Sequence, residues 1–380
     1  MKNKKCLCID VNSVVGLFVR GYLSGIGRTT LDLMLALGDL KDELPFEIVL
    51  YSQNMKGIGG RNLNLPFKNK HLYLRNNEKY NKILQKFPIR EWLTGYDLMH
   101  IPHNFEYVRH PEKCIVTLHD ALFMKIQEKM FNHDKMKKIV PPFIRQSKAV
   151  ITCSENSKRD IIETMNVSPD KIHVIPWGIR HDVFFPEKDL EETKTILQNK
   201  FKLDKPYFLS VSCNEERKNT PRLIDVFVEY TKQDSDTELC LIWNNIPDSI
   251  TERINNLGMK KRIHILSNVT DEDLRLLYNG AKATVFPSFY EGFGLPVLES
   301  MACGTPVICS NTSSLPEVGK DAAIYIDPAN NQSILDALIA IDIRDQNALI
   351  EKGLKYASEY TWEKCARETI KVYEKYLLNN

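Results

Sequence analysis

Residues 285–310 read VFPSFYEGFGLPVLESMACGTPVICS, and this stretch decides the fold. It continues an apolar run, Ala283–Phe286, of the kind that forms a strand buried on both faces. A turn containing Gly292 and Gly294 follows, and glycine there permits tight geometry and close approach of backbone to a ligand. Pro296 stands where the first turn of a helix accepts it, so a helix should run from there to about Cys303. A second strand, Val307–Cys309, comes next. Strand, glycine turn, helix and strand make the repeating unit of a parallel sheet. At such a helix start the amides of Phe293, Gly294 and Leu295 would point outward, ready for an anion or for sugar hydroxyls.

The same alternation extends in both directions. Strands are expected at Cys6–Asp10, Glu47–Tyr51, Asp97–Ile101, Ile115–Leu118, Val150–Cys153 and Ile172–Ile175, then at Tyr207–Ser212, Glu238–Trp243 and Ile263–Leu266. Helical spacing fills most of the intervals, at Arg28–Leu37, Glu155–Met165, Thr220–Thr231, Asp271–Tyr278, Ser333–Ile341 and Gln346–Ser358. Pro176, Gly178 and Pro186 break the pattern, and a polar stretch to about Asp204 reads as a linker. At 380 residues two domains are the default. The expected fold class is α/β, with one Rossmann-like domain over 1–180 and another over 181–360. The tail has helical spacing at Trp362, Ala366, Ile370, Tyr373 and Leu377.

Charge is unevenly spread. Residues 1–180 hold 28 Lys and Arg against 18 Asp and Glu, a balance of +10, whereas the remainder holds 23 against 31, a balance of −8. A basic half favours an anionic partner, and no nucleic-acid motif accompanies it. The segment FMKIQEKMFNHDKMKKIVPPFIR, residues 123–145, interleaves lysines with Met, Phe and Ile, so an anionic membrane surface is one expected partner. The other reading of that segment is a solvated helix with an apolar core stripe. No apolar run reaches the length of a membrane span. Asp10 and Asn12 oppose a signal-peptide reading of the start. The nine scattered cysteines lack C-x-x-C spacing and read as reduced core thiols, so the expected location is cytoplasmic, peripheral at the inner face of the plasma membrane.

Several residue groups carry candidate chemistry. Glu291 and Glu299 bracket the glycine turn, and as hydrogen-bond acceptors they suit polyol hydroxyls better than phosphate. Arg217 and Lys218 follow the strand Tyr207–Ser212, where carboxyl ends of parallel strands bind ligands and adjacent cations can neutralise a diphosphate leaving group without a metal. His119, with Asp120 beside it, follows another strand end and could donate a hydrogen bond to a substrate hydroxyl. Gly25 and Gly27 repeat the glycine-to-helix device but lack the full dinucleotide spacing. Asp234/Asp236 and Asp271/Asp273 match Asp-x-Asp, yet one pair lies in a hydrophilic loop and the other opens a helix, so neither is read as a metal site.

Assembled, these segments resemble glycosyltransferase family 4. The likeness runs through GIGRTT, TLHDALF, CSENSKRDI, KIHVIPWGI, ERKNTPRLI, VTDEDLRLLY, EGFGLPVLE and SLPEVGKDAAIYIDP. It implies the GT-B fold, two Rossmann-like domains facing each other across a deep cleft, with the helix of 361–380 crossing back to an N-terminal acceptor-binding domain. It further implies a retaining hexosyltransferase that uses a nucleotide-sugar, GDP- or UDP-linked, and neither metal nor other cofactor. By that likeness Glu291 contacts the donor sugar, Glu299 the ribose, Arg217 and Lys218 the diphosphate, and His119 the sugar from the opposite domain. Phe293, Gly294 and Leu295 would line the sugar, Val269 would lie near the base, and Gly25 and Gly27 are taken with the donor site. One departure is that the Gly-Arg pair some relatives carry after Val211-Ser212 is absent. Mannose from GDP-mannose, passed to a glycan or lipid-linked glycan in cell-surface polysaccharide synthesis, is the leading expectation. A UDP-sugar donor, a sugar-phosphate synthase or phosphorylase, and a non-catalytic glycan-binding protein are the alternatives.

Overall fold

The computed structural model describes residues 4–15, 24–55, 64–126 and 133–378. The chain divides into two compact units, Met1–Gly178 together with Trp362–Asn380, and Ile179–Thr361.

The first unit is built on β1 (Cys6–Asp10), β2 (Glu47–Gln53), β3 (Lys68–Leu72), β4 (Leu98–Ile101), β5 (Cys114–Thr117), β6 (Ala149–Thr152) and β7 (Ile172–Val174). Their spatial order is β3-β2-β1-β4-β5-β6-β7, and the paired strands are parallel. The chain steps outward from β1 to β3, then returns to place β4 on the other side of β1. In such sheets the loops leaving the two central strands diverge, and the space between their carboxyl ends is where ligands bind.

The second unit repeats the design with β8 (Tyr207–Val211), β9 (Glu238–Ile242), β10 (Ile263–Leu266), β11 (Ala283–Phe286), β12 (Val307–Ser310) and β13 (Ala323–Ile326). The order is β10-β9-β8-β11-β12-β13, again parallel, so the reversal falls between β8 and β11. Burial on both sheet faces explains the apolar runs: Phe208, Leu239, Leu241, Val285 and Ile308 expose nothing. Each such side chain contributes about 1.5–3 kcal/mol on leaving water.

Helices begin where a short polar side chain can take an otherwise unpaired amide. Ser24 accepts from the Gly27 amide at 3.2 Å, Ser154 from Ser157 at 3.1 Å and Thr270 from Asp273 at 3.1 Å. The last helix, Trp362–Leu377, belongs to the first unit and packs against the helix Gly25–Asp39. Its buried face carries Trp362, Cys365, Ala366, Thr369, Val372, Tyr373 and Leu377. The Tyr373 hydroxyl lies 2.7 Å from His100 Nδ1 in β4, and Arg367 pairs with Glu43 at 2.8 Å.

Three features differ from the sequence reading. Strands β3 and β13 were not anticipated, and both are sheet edges. The polar stretch ahead of Asp204 is not continuous linker: Leu190–Phe201 is a helix, capped by Asp189, whose Oδ1 accepts from the Glu191 and Glu192 amides. In 123–145, residues 127–132 lie outside the described residues. Phe123, Val140, Phe143 and Ile144 on either side are core residues, so those apolar side chains of that segment are buried rather than available to a membrane.

Candidate functional site

The loops that leave β8 and β11 meet at the reversal point of the second sheet. After β8 comes a single 3-10 turn, Glu216–Lys218, closed by Asn219 in the left-handed region at φ 58°. Asn219 Nδ2 donates to Pro287 O at 3.1 Å and to Pro328 O at 2.8 Å, which ties this loop to the ends of β11 and β13. The Phe289 amide donates to Arg217 O at 2.7 Å, and Arg217 Nη1 donates to Tyr290 O at 3.0 Å. Two loops far apart in sequence are thereby locked together at the strand ends.

Inside that lock sits a network of four charges. Arg217 Nη1 lies 2.8 Å from Glu291 Oε2, and Lys218 Nζ lies 2.9 Å from Glu291 Oε1. Arg217 also pairs with Glu215. Lys218 Nζ stands 4.6 Å from the Phe286 ring centroid, so the end of β11 itself supports the cation. Glu291 is only 8% exposed. Burial pushes its carboxyl up, but Lys218 and Arg217 outweigh that and hold it below the usual carboxylate value. Arg217 is moved upward: burial works against its charge, and Glu291 and Glu215 more than compensate. The two acids and two bases cancel, so the resting network is neutral and pre-organised around the buried Glu291.

The sequence reading separates the carboxylate from the cations, giving one to sugar and the others to diphosphate. The structure instead joins Glu291, Arg217 and Lys218 directly. Ser313 and Ser314 complete the mount: the Glu291 amide donates to Ser313 Oγ at 2.9 Å, and Ser314 Oγ donates to Glu291 O at 2.9 Å and to Phe293 O at 2.8 Å. Glu215, Asn219 and these serines were missed. Ser314 sits in the quoted SLPEV segment, whose motif character was the available signal.

Gly294 ends the turn at φ 118° and caps the helix Leu295–Ala302. A side chain there would be strained by the backbone and would meet Leu315 Cδ2 at 3.0 Å. Phe293 is buried edge-on against Tyr360, ring centroids 6.0 Å apart. Leu295 opens the helix. Glu299, one turn inside, is buried, and its Oε2 accepts from the Tyr278 hydroxyl at 3.1 Å. Val269 is half-buried in the loop between β10 and the helix Asp271–Gly280.

In the first unit the carboxyl ends of β1, β4 and β5 carry a second polar cluster. Asp10 ends β1 fully buried and accepts from the Asn12 amide at 2.8 Å. His103 Nε2 is 3.7 Å from Asp10, and Arg90 pairs with Glu106 at 3.4 Å. His119, just past β5, lies with its ring 5.4 Å from that of Trp177. Burial lowers its pKa to about 4 despite the Pro102 carbonyl, with His103 adding to the fall. The ring is therefore neutral near pH 7, and its Nε2, 3.3 Å from Pro102 O, holds the proton. With the proton on that nitrogen, Nδ1 accepts a hydrogen bond rather than donating one. Gly25 and Gly27 form the first turn of the helix Gly25–Asp39, and the Gly27 amide is already taken by Ser24.

Asp10, His103 and Glu106 are close enough to share a cation, all ligand atoms lying within 4.8 Å. The donor set fits one poorly. Burial raises the proton affinity of both Asp10 and Glu106 even though Arg90 pulls the other way, Arg90 supplies positive charge in the same place, and both Asp10 oxygens already accept from Asn12. Asp234 takes the Asp236 and Thr237 amides and two hydroxyls, and Asp273 pairs with Lys200 at 2.5 Å. Both Asp-x-Asp segments thus have structural duties.

Residues 191–355 match the family Glycosyl transferases group 1, and residues 23–183 match Glycosyltransferase Family 4. The O-antigen chain mannosyltransferase B of Escherichia coli is 31% identical over 283 residues, 71% of this chain and 72% of that protein. The MMP alpha-(1->4)-mannosyltransferase of Mycolicibacterium hassiacum is 32% identical over 238 residues, 61% of this chain and 55% of that protein. Among solved structures, Anabaena HepE in complex with UDP-glucose superimposes with a TM-score of 0.75 over 98% of this chain and 100% of that one, at 14% identity.

Proposed function

The chain belongs to glycosyltransferase family 4 and has the GT-B fold, and from that premise we propose that it is a retaining, metal-independent hexosyltransferase. Its donor is GDP-mannose, and its acceptor is a glycan or lipid-linked glycan of cell-surface polysaccharide synthesis. Both relatives described above are named mannosyltransferases, one of them for an O-antigen chain, which supports the choice of sugar and pathway.

The observation that carries the reading is the neutral quartet of Glu215, Arg217, Lys218 and buried Glu291 at the reversal point of the second sheet. A diphosphate arriving there meets two cations already fixed in place, so charge that builds as the sugar–phosphate bond breaks is met without reorganisation. The helix start at Gly294–Leu295 adds amides that the helix itself cannot pair. Glu291 anchors the cations and turns toward a donor hydroxyl when phosphate replaces it as their partner. Glu299 serves the ribose, and His119 accepts from a hydroxyl of the sugar through Nδ1. The acceptor oxygen attacks the face from which the nucleotide departs, and its proton passes to the leaving phosphate. That sequence retains configuration and needs neither a protein nucleophile nor a metal.

The test is slow donor hydrolysis over a panel of GDP- and UDP-sugars, read beside thermal stabilisation by GDP and UDP. GDP-mannose turnover and a shift with GDP alone are expected. Lys218→Ala should lower turnover about 10²-fold, the scale for loss of one charge-stabilising group. Indifference to both nucleotides would end the proposal. A UDP-hexose is the second reading, because Anabaena HepE was solved with UDP-glucose on this fold; the same panel separates the two.

A further inference from the structure

Large apolar side chains cluster on the outside of the first unit, in one short piece of chain. The helix Glu78–Lys86 buries Asn81 and Leu84, and the helix Ile89–Thr94 buries Arg90 and Thr94. Ile83 on the first helix, Phe87 just past its end and Trp92 on the second are 41%, 54% and 78% exposed. Ile83 and Phe87 are one helical turn apart. The chain coils again at once, with the Trp92 amide donating to Pro88 O at 2.9 Å, so Trp92 stays near them. The other tryptophans, Trp177, Trp243 and Trp362, are 4%, 3% and 9% exposed. A tryptophan this open is unusual, because so large an apolar surface is costly in water.

The surroundings are basic. Between Lys68 and Gly95, leaving aside the buried Arg90, six cations (Lys68, Lys70, Arg75, Lys79, Lys82 and Lys86) stand against two carboxylates, Glu78 and Glu91. Glu78 is itself gripped by Lys82 at 2.7 Å and by Lys135 at 2.5 Å. The second contact brings the start of the helix His133–Gln146, with Lys137 and Lys138, to the same neighbourhood.

We propose that this face, with Ile83, Phe87 and Trp92 as apolar anchors and the lysines around them, docks the protein on an anionic lipid bilayer. Aromatic rings with one polar edge favour the boundary between headgroups and acyl chains, and lysines ringing them are drawn to anionic headgroups. Charge complementarity selects this occupant: a second copy of the chain would bring the same cations against each other.

The full chain is mixed with phosphatidylglycerol-containing vesicles and, separately, with phosphatidylcholine vesicles, at low and high salt. Binding is read by flotation and by tryptophan emission. Flotation with the anionic vesicles is expected, at least about tenfold stronger than with the neutral ones and weakened by salt. Emission should shift to the blue, because Trp92 is the tryptophan in contact with water. Trp92→Phe should keep flotation and lose the shift, whereas F87S/W92S should lower partition about tenfold with an unchanged melting profile. Equal partition of wild type and F87S/W92S would overturn the proposal, as would self-association in the absence of vesicles that this double variant abolishes. Donor hydrolysis in solution reads the transferase proposal separately, so the failure of one leaves the other standing.

Discussion

Arg217 and Lys218 hold the same carboxylate, so neither can be replaced without changing what the other faces. Lys218→Ala leaves the buried Glu291 with Arg217 alone, and breaking a buried pair from one side costs up to about 3–5 kcal/mol. A fall of several degrees in Tm is therefore expected beside the loss of turnover. The sign with pH follows from the depressed Glu291 carboxyl. Its contribution to stability is complete above the ordinary carboxylate value and is lost as pH falls through the lower folded value. Glu291→Gln should flatten the acid limb of the stability curve, measured by thermal melts from pH 7 downward. A limb identical to wild type would mean that Glu291 is not held by the cations. The residue types at this site were legible because they stand at strand ends, in motifs. Their pairing was not, since Arg217 and Glu291 are separated by most of a doubly wound sheet and only the fold order places β8 beside β11.

At the scale of elements, Gly294 and the histidines of the first sheet make separate claims. Gly294→Ala forces a side chain into φ 118° and against Leu315. That conformation costs about 1–3 kcal/mol and displaces the helix start. Donor affinity should fall more than the melting temperature suggests, which calorimetric titration with GDP would show; unchanged affinity would remove the helix start from the donor site. In the first unit, burial lowers His100 to about 3 and His119 to about 4. Both favour the neutral form in the folded state, so stability should drop as pH falls from the ordinary histidine value of about 6.5 toward 4. His119→Asn should reduce that drop, as read by chemical denaturation at each pH. Most strands were legible, because a run such as Cys114–Thr117 is buried on both faces and shows as an unbroken apolar stretch. Strand β3, with sequence KNKHL, was not: an edge strand is half-solvated, and its lysines, which discourage pairing with another chain, erase the pattern. The helix Leu190–Phe201 was hidden likewise, since only Thr193 and Leu197 of it are buried.

At the scale of the whole chain, the first unit is completed by the last helix. Trp362–Leu377 supplies Tyr373, which fills the space beside Phe46 and bonds His100 in β4, a strand laid down more than 250 residues earlier. Periodicity showed this helix to be amphipathic, but not which core its apolar face would join. Because Tyr373 and Trp362 are among the buried aromatics of the first unit, a chain ending at Thr361 would expose an apolar groove on the helix Gly25–Asp39 and leave His100 with one partner fewer. The second unit, Ile179–Thr361, keeps its sheet and its own core in that truncation. Differential scanning calorimetry should then show the first unit melting much earlier, or not cooperatively at all. The transition that GDP is expected to stabilise under the proposed function should persist near its original temperature, because Arg217, Lys218 and Glu291 lie in the second unit. Equal loss of both transitions would mean that the two units are one cooperative body, and that the returning helix holds up the donor site as well as its own sheet.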